Sequence, residues 1–435
     1  MVDWGQIWIL VITFAVLLST GVPVVFSIGL ATLVVMLMSI PFVPAVTTVA
    51  QQMATGLDSF SMLAIPLFVL AGQLMNRGGV AVRLVDFAKS TVGFLPGGLA
   101  IVNVMACMLF GSISGSAAAA ASAIGGTMRD QMVAARYPAP FSAAVNLSSA
   151  TTGLLIPPSN ILIVYSLASG GVSIGALFLA GYVPGILMGL LLMLVAAALS
   201  VYFKVPTSRF VGFGPMVRLF LRALPSLLLL VIVIGGILAG VFTATEAAGV
   251  AVAYSFVLSV VIYREVKWNK LGSVVLQAVR LSSIILLLIG ASMAMSWIMA
   301  YLEIPQLVSE AMLAGTENPL MVLLLINVVL LFVGAFMDMS PAVLIFTPIF
   351  LPVAVELGID PLHFGIILVM NLCIGLCTPP VGTLLFIGCS VSRTGVSETV
   401  RPLIPFFGAM LVSLVLVTVF PQLSLWLPRF FGFGG

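Results

Sequence analysis

Apolar runs of about 20 residues follow one another along nearly the whole of this 435-residue chain. Each is long enough to cross a hydrocarbon layer of ~30 Å as a helix. Only 7% of the residues are charged, against roughly 25% in soluble domains, which excludes a soluble enzyme or a nucleic-acid-binding module. A membrane β-barrel would show short alternating segments instead. The chain therefore reads as an all-α polytopic membrane protein. Its first run, MVDWGQIWILVITFAVLLST, lacks the basic flank of a secretory signal and reads as a retained first helix. Cys107, Cys373, Cys377 and Cys389 all sit in apolar sequence. With His363 the only histidine, no set of four zinc ligands forms, so the thiols read as packing residues.

Charge placement suggests a topology. Basic residues cluster as Arg77, Arg83 and Lys89; Arg129 and Arg136; Lys204, Arg209, Arg218 and Arg222; Arg264, Lys267, Lys270 and Arg280; and Arg393 with Arg401. The positive-inside rule puts these segments in the cytoplasm. Asp3, Asp58, Glu303, Glu310, Glu317, Glu356 and Asp360 lack basic neighbours and mark the outside. Ten crossings satisfy this pattern: 5–20, 22–40, 60–76, 140–169, 176–203, 219–240, 243–263, 281–302, 364–392 and 403–427. All sixteen Lys/Arg except Arg429 then face the cytoplasm, and both termini lie outside.

Five crossings per half imply that the halves enter the membrane in opposite directions. Shifting the sequence by about 220 residues aligns GVPVVFSIGLATLVV (21–35) with GVFTATEAAGVAVAY (240–254), and GSISGSAAAAASAIGG (111–126) with GAFMDMSPAVLIFTP (334–348). The expected organisation is an inverted-topology repeat, 1–203 and 204–435. Such repeats build secondary transporters, with the site at their interface. Residues 98–128 and 320–354 then begin and end on one side. Their first legs are too short to span, so both read as re-entrant helical hairpins, with tips at SISGS (112–116) and AFMDMSP (335–341).

GLLIPPSN (153–160) and GLCTPPVG (375–382) each set a Pro-Pro pair inside an apolar run. An interior proline costs ~3 kcal/mol or more, so 140–169 and 364–392 read as two broken helices. Unwinding frees carbonyls that can replace the water shell of sodium, and leaves a positive helix start suited to an anion. Hard oxygens lie nearby on Ser112, Ser114, Ser116, Thr151, Thr152, Asn160, Asp338, Ser340, Thr378 and Thr383. Glu246 and Asp338 are the acids at membrane depth. Thr243 and Glu246 have capping-box spacing, which favours a structural role for Glu246. Asp338, on a hairpin tip, is the functional candidate. No basic residue falls at midplane, so an anion would be held by helix starts, hydroxyls and amides.

GILAGVFTATEAAGVAVAY, LAIPLFVLAGQLM, GSISGSAAAAASAIG and IPPSN resemble the large membrane subunit of TRAP transporters, the DctM-type (M subunit) family. The resemblance covers essentially the whole chain. It implies a sodium-driven importer of small organic acids, such as C4-dicarboxylates or sialic acid, in a bacterial inner membrane. The implied partners are a small four-helix (Q-type) membrane subunit on a separate chain and a periplasmic (P-type) substrate-binding protein. The implied mechanism is an elevator, with sodium as coupling ion and no other cofactor. The resemblance also implies sodium sites. One would join Ser112, Ser114, Gly115 and Ser116 to Thr152, Gly153, Pro157 and Asn160. The other would join Gly334 and Asp338 to Thr378, Pro379, Gly382 and Thr383. Substrate candidates are Ser116, Ser159, Asn160, Asp338, Ser340 and Thr383. A stand-alone dicarboxylate transporter or exchanger would share this architecture. An intramembrane serine enzyme would need a base beside SISG, and His363 is expected near the outer surface instead.

Overall fold

The computed structural model describes residues 4–205, 212–315, 318–379 and 381–433; Asp3, Arg209, Glu317 and Pro380 lie outside them. The described residues are helical, with no strand among them. The first half opens with α1 (Trp4–Ser19), α2 (Val24–Ser39) and α3 (Phe42–Leu57). A bend at Asp58 and a short 3-10 turn lead into α4 (Ala64–Arg77), and α5 (Val80–Val92) follows. Then come α6 (Gly98–Ser114), α7 (Ala117–Ala134), α8 (Ala139–Leu155), α9 (Asn160–Ala168) and α10 (Ile174–Tyr202).

The second half runs α11 (Phe213–Leu238), α12 (Ala244–Phe256, extended by a π-helical turn to Ile262), α13 (Leu271–Tyr301) and α14 (Ile304–Leu313). It continues with α15 (Pro319–Gly334), α16 (Met339–Glu356), α17 (Pro361–Gly375), α18 (Thr383–Ser392), α19 (Val396–Val419) and α20 (Gln422–Phe430). Element order thus recurs between the halves, the α3–α4 pair standing where α13 runs unbroken for 31 residues.

Among the described residues, seven helices are long and apolar enough to cross a membrane. An eighth span is the pair α8–α9, bent by 51° at its break. Three of the ten expected crossings do not pass on length: α1 and α2 have 16 residues each, about 24 Å of helix, and 364–392 is divided into α17 and α18, of 15 and 10 residues; α16, expected as a leg of the second hairpin, passes instead with 18 residues. The expected crossing at 403–427 also changes: α19 stops at Val419, where Phe420 leaves helical geometry and Pro421 starts the separate α20. Four helices were not anticipated, α3, α5, α14 and α20. Each mixes apolar and polar residues on opposite faces, which weakens the continuous apolar signal of a span.

Packing partners exchange between the halves. α4 packs on α12 while α13 packs on α2; α7 packs on α18 while α16 packs on α9; α8 packs on α19 while α10 packs on α17. Polar contacts also sort the ends of the helices. At one end Arg77 donates to Ser273 Oγ (2.9 Å) and Gln277 Oε1 (2.7 Å), Lys89 donates to Gln131 Oε1 (3.0 Å), and Tyr263 Oη meets Ser226 Oγ (3.0 Å). At the other, Ser309 donates to Glu356 Oε2 (2.5 Å), Tyr165 donates to the Pro361 carbonyl (2.6 Å), and His363 Nδ1 meets Ser424 Oγ (2.6 Å). The basic segments thus share one end with the open end of the α6–α7 hairpin. The open end of α15–α16 lies among the second set.

Each hairpin is seated on the broken helix of its own half by a pair of glycines. A Cβ on Gly153 of α8 would lie 2.4 Å from the Gly111 Cα of α6. A Cβ on Gly375 of α17 would lie 2.6 Å from the Gly334 Cα of α15. Buried amides add to both contacts, as polar side chains do between membrane helices. Asn146 on α8 donates to the Ala121 carbonyl at 2.8 Å. Asn371 on α17 donates to Asn327 Oδ1 at 2.8 Å, and Asn327 donates to Thr418 Oγ1 at 3.0 Å. Overpacking a close contact costs about 1–3 kcal/mol. Gly153→Ala and Gly375→Ala should each lower the melting temperature of the purified protein measurably. Gly126→Ala, where nothing lies within 4 Å of the added methyl, should leave it unchanged.

Candidate functional site

A cavity of about 300 Å3 lies where the two hairpin tips meet the two helix breaks. Four helices begin at its wall: α7 at Ser116–Ala119, α9 at Asn160, α16 at Asp338–Ser340 and α18 at Thr383. Each start has a local cause. Gly115 takes the left-handed conformation at φ +60° and ends α6, its N–H donating to the Gly111 carbonyl at 2.8 Å. Ser116 then caps α7, accepting from the Ala119 N–H at 3.3 Å. At the second tip Asp338 occupies the cap position of α16 with no capping hydrogen bond from its side chain. Pro157 and Pro158 stop α8, and Ser159, in extended geometry, precedes α9. In the second break the chain turns at Gly382, where an added Cβ would meet the Leu376 and Thr378 carbonyls at 2.5 and 2.8 Å.

The free N–H groups at a helix start carry about half a positive charge and favour anions. Four such ends facing one cavity give it positive potential without a cationic side chain. Among the described residues no Lys, Arg or His lines it, and Asp338 is the one charged residue that does.

Of the sequence-predicted site residues, Ser114, Gly115, Ser116, Asn160, Asp338, Ser340 and Thr383 line this cavity. Gly115 also touches the first break, an added Cβ lying 3.3 Å from Asn160 Nδ2 and 3.4 Å from the Pro158 carbonyl. The others stand in the wall behind it. Ser112 donates to Leu109 O (2.8 Å), Thr152 to Ser149 O (2.6 Å) and Thr378 to Ile374 O (3.0 Å), each hydroxyl turned back on its own helix. Thr151 does the same toward Ser148 O (2.6 Å). Gly153 and Gly334 belong to the glycine contacts, Ser159 is buried with no partner for its hydroxyl, and Pro157, Pro379 and Gly382 shape the breaks. Glu246 forms the capping box with Thr243, receiving the Thr243 N–H at 2.8 Å, and lies outside the cavity.

The facing wall was not anticipated. It comprises Val69, Gly72 and Gln73 of α4 and Leu281, Ile284 and Ile285 of α13. One signal was legible: Gln73 is the lone amide in LAIPLFVLAGQLM. α4 comes so close that a Cβ on Gly72 would lie 2.7 Å from the Ser114 carbonyl at the first tip.

Residues 11–423 match the family described as "Tripartite ATP-independent periplasmic transporter, DctM component". The protein YgiK of Salmonella typhimurium, described as uncharacterized, is 53% identical, the alignment covering 96% of each chain. The C4-dicarboxylate TRAP transporter large permease protein DctM of Pseudomonas aeruginosa is 40% identical, over 93% of this chain and 94% of that one. The sialic acid TRAP transporter large permease protein SiaM of Vibrio cholerae is 38% identical, over 96% and 97%. Among solved structures, the Alcanivorax borkumensis YdaH transporter superposes with a TM-score of 0.64 at 15% identity, covering 89% of both chains. That likeness shows a shared fold.

The cavity can be checked without knowing what fills it. Cys107, Cys373, Cys377 and Cys389 are all buried, whereas Ala118 is exposed in the cavity wall. A charged maleimide should label Ala118→Cys and leave the folded wild type unlabelled, as read by intact mass.

Proposed function

Because the chain belongs to the DctM-component family of tripartite ATP-independent periplasmic transporters, we propose that it is the large membrane subunit of a sodium-coupled importer of small organic acids. The carrying observation is the convergence of four helix starts on one cavity that, among the described residues, has no cationic side chain. A carboxylate can take their N–H groups, and its hydroxyl or carbonyl groups can pair with Ser116, Asn160, Ser340 and Thr383. Ser114, Asp338 and the carbonyls exposed by the breaks offer the hard oxygens that sodium prefers. A sodium ion there would offset Asp338 and bring the anion with it, which is a physical route to symport.

The proposed motion is an elevator. The hairpins and broken helices would move as one body past α4 and α13, with α5 and α14 as connecting arms. The exchange of packing partners and the opposite placement of the two hairpin mouths support two halves of inverted topology. With the basic end in the cytoplasm, both termini lie in the periplasm. The proposed partners are a small Q-type membrane subunit and a periplasmic binding protein that delivers the acid. The relatives carry C4-dicarboxylate and sialic acid in their names, so the panel of acids to test starts from those two.

The test is uptake into proteoliposomes holding the chain, its small membrane partner and the cognate binding protein. Uptake should require an inward sodium gradient. Asp338→Asn should reduce it at least tenfold while the protein still elutes as a monodisperse complex. Uptake that ignores sodium would overturn the coupling, and equal uptake without binding protein would favour a stand-alone exchanger.

A further inference from the structure

A second cleft, of about 550 Å3, opens at the basic end of the helices and shares no lining residue with the hairpin cavity. Its walls come from α5, the first half of α11 and the segment after α12. One part is closed by Arg83. Its guanidinium lies 3.7 Å from the centre of the Tyr263 ring and 3.6 Å from Glu265 Oε1, and it donates to the Gly79 carbonyl at 2.8 Å. Stacking on an aromatic face and pairing with a carboxylate commit that charge inside the protein.

Two other charges of the cleft are not committed. Arg222 on α11 and Asp86 on α5 both line it. Among the described residues neither side chain has an ion-pair or hydrogen-bond partner, and they do not pair with each other. Beside them the lining turns apolar at Val82, Leu219, Leu221 and Pro225. Val82 and Leu221 are 49% and 57% exposed, so this side presents bare aliphatic surface. An unpaired cation, an unpaired anion and an aliphatic wall in one cleft match an amphiphile whose head carries both charges.

The geometry points to a site for a phospholipid with an aminoethyl-phosphate head, phosphatidylethanolamine. Its phosphate pairs with Arg222, its ammonium pairs with Asp86 and the open side of Glu265, and an acyl chain covers Val82 and Leu221. A purely anionic lipid would satisfy Arg222 and set its phosphate against two carboxylates. A soluble phosphate would leave the aliphatic wall wet. The site sits between α11 and α5, and α5 packs in turn on both legs of the first hairpin. A lipid held there bridges α11 and α5. The inference stands apart from the transport reading, since neither charge lines the hairpin cavity.

The test is native mass spectrometry of the full-length protein, purified with its small membrane partner, delipidated and offered equimolar phosphatidylethanolamine and phosphatidylglycerol. The wild type should retain one phosphatidylethanolamine per chain at about tenfold preference. Arg222→Gln and Asp86→Asn should each lower retention about tenfold. Arg218→Gln, on the same helix but outside the cleft, should not. Equal retention of phosphatidylglycerol would overturn the proposal as mere attraction to a basic rim. So would full retention in both cleft variants, absence of any retained lipid in the wild type, or displacement by soluble phosphorylethanolamine, which would mark a small-molecule site. The wild-type competition decides between the two lipids even if a variant proves unstable.

Discussion

In hydrocarbon a backbone that leaves the helix must find its partners within the protein, and everything at the centre of this chain follows from how that demand is met. Four helices are interrupted or turned back, after Ser114, Leu155, Gly334 and Gly375. Each interruption is tolerable only if another backbone comes close enough to wall it in. Glycine makes that approach possible. Gly111 against Gly153, and Gly334 against Gly375, let the hairpin leg and the broken helix meet at backbone contact. Side chains of any size would push these helices apart and open the breaks to lipid. The glycines lie about one turn before the tips and the prolines, so tight packing and irregular geometry are neighbours along each helix.

Seating each hairpin on its own half and crossing the second half-helices over to the other half, α7 with α18 and α16 with α9, brings four starts to one place. Electrostatics then follows from geometry. One of the four is the start of α9, which exists because Pro157 and Pro158 stop α8; another, the start of α18, follows the break after Gly375, in which Pro379 lies. The cost of the prolines and the positive potential of the cavity are thus two aspects of one feature. A lysine or arginine could have supplied the same charge, but as a long, mobile group needing its own solvation. Backbone dipoles are fixed in place and already desolvated, so they leave less to reorganise when an anion enters.

Much of this was legible in the sequence, for identifiable reasons. The membrane class, both hairpins and both breaks rest on signals that are strong in single residues or long runs: absent charge, Pro-Pro pairs and glycines repeated at a spacing of about 222. The site divides less cleanly. Ser116 and Asp338 could be named because they occupy the cap positions of α7 and α16, and Asn160 and Thr383 because they open α9 and α18 directly after the breaks. Ser112, Thr152 and Thr378 could not be told from them, since a hydroxyl inside a helix is free to bond its own preceding turn, and each does. The amphipathic α3, α5, α14 and α20 escaped because they lie outside the runs that a hydrophobic scan detects. The α4 and α13 wall was hidden for another reason. Its aliphatic residues look like any lipid-facing or buried position, and only the tertiary structure shows that they face a cavity.

That wall bears on the proposed motion. Across the cavity from the polar starts, α4 and α13 offer Val69, Leu281, Ile284 and Ile285, with Gln73 as the single amide. A surface with few hydrogen bonds can be traversed without leaving many donors unpaired on the way, whereas a polar wall would have to break and remake its bonds at a cost of about 1–3 kcal/mol for each buried group left unsatisfied. On this side Gly72 comes close to the Ser114 carbonyl, where a residue without a side chain meets the backbone of the first tip. Under the elevator reading, polar groups are concentrated on the body that travels with the anion, and the surface it passes is kept smooth.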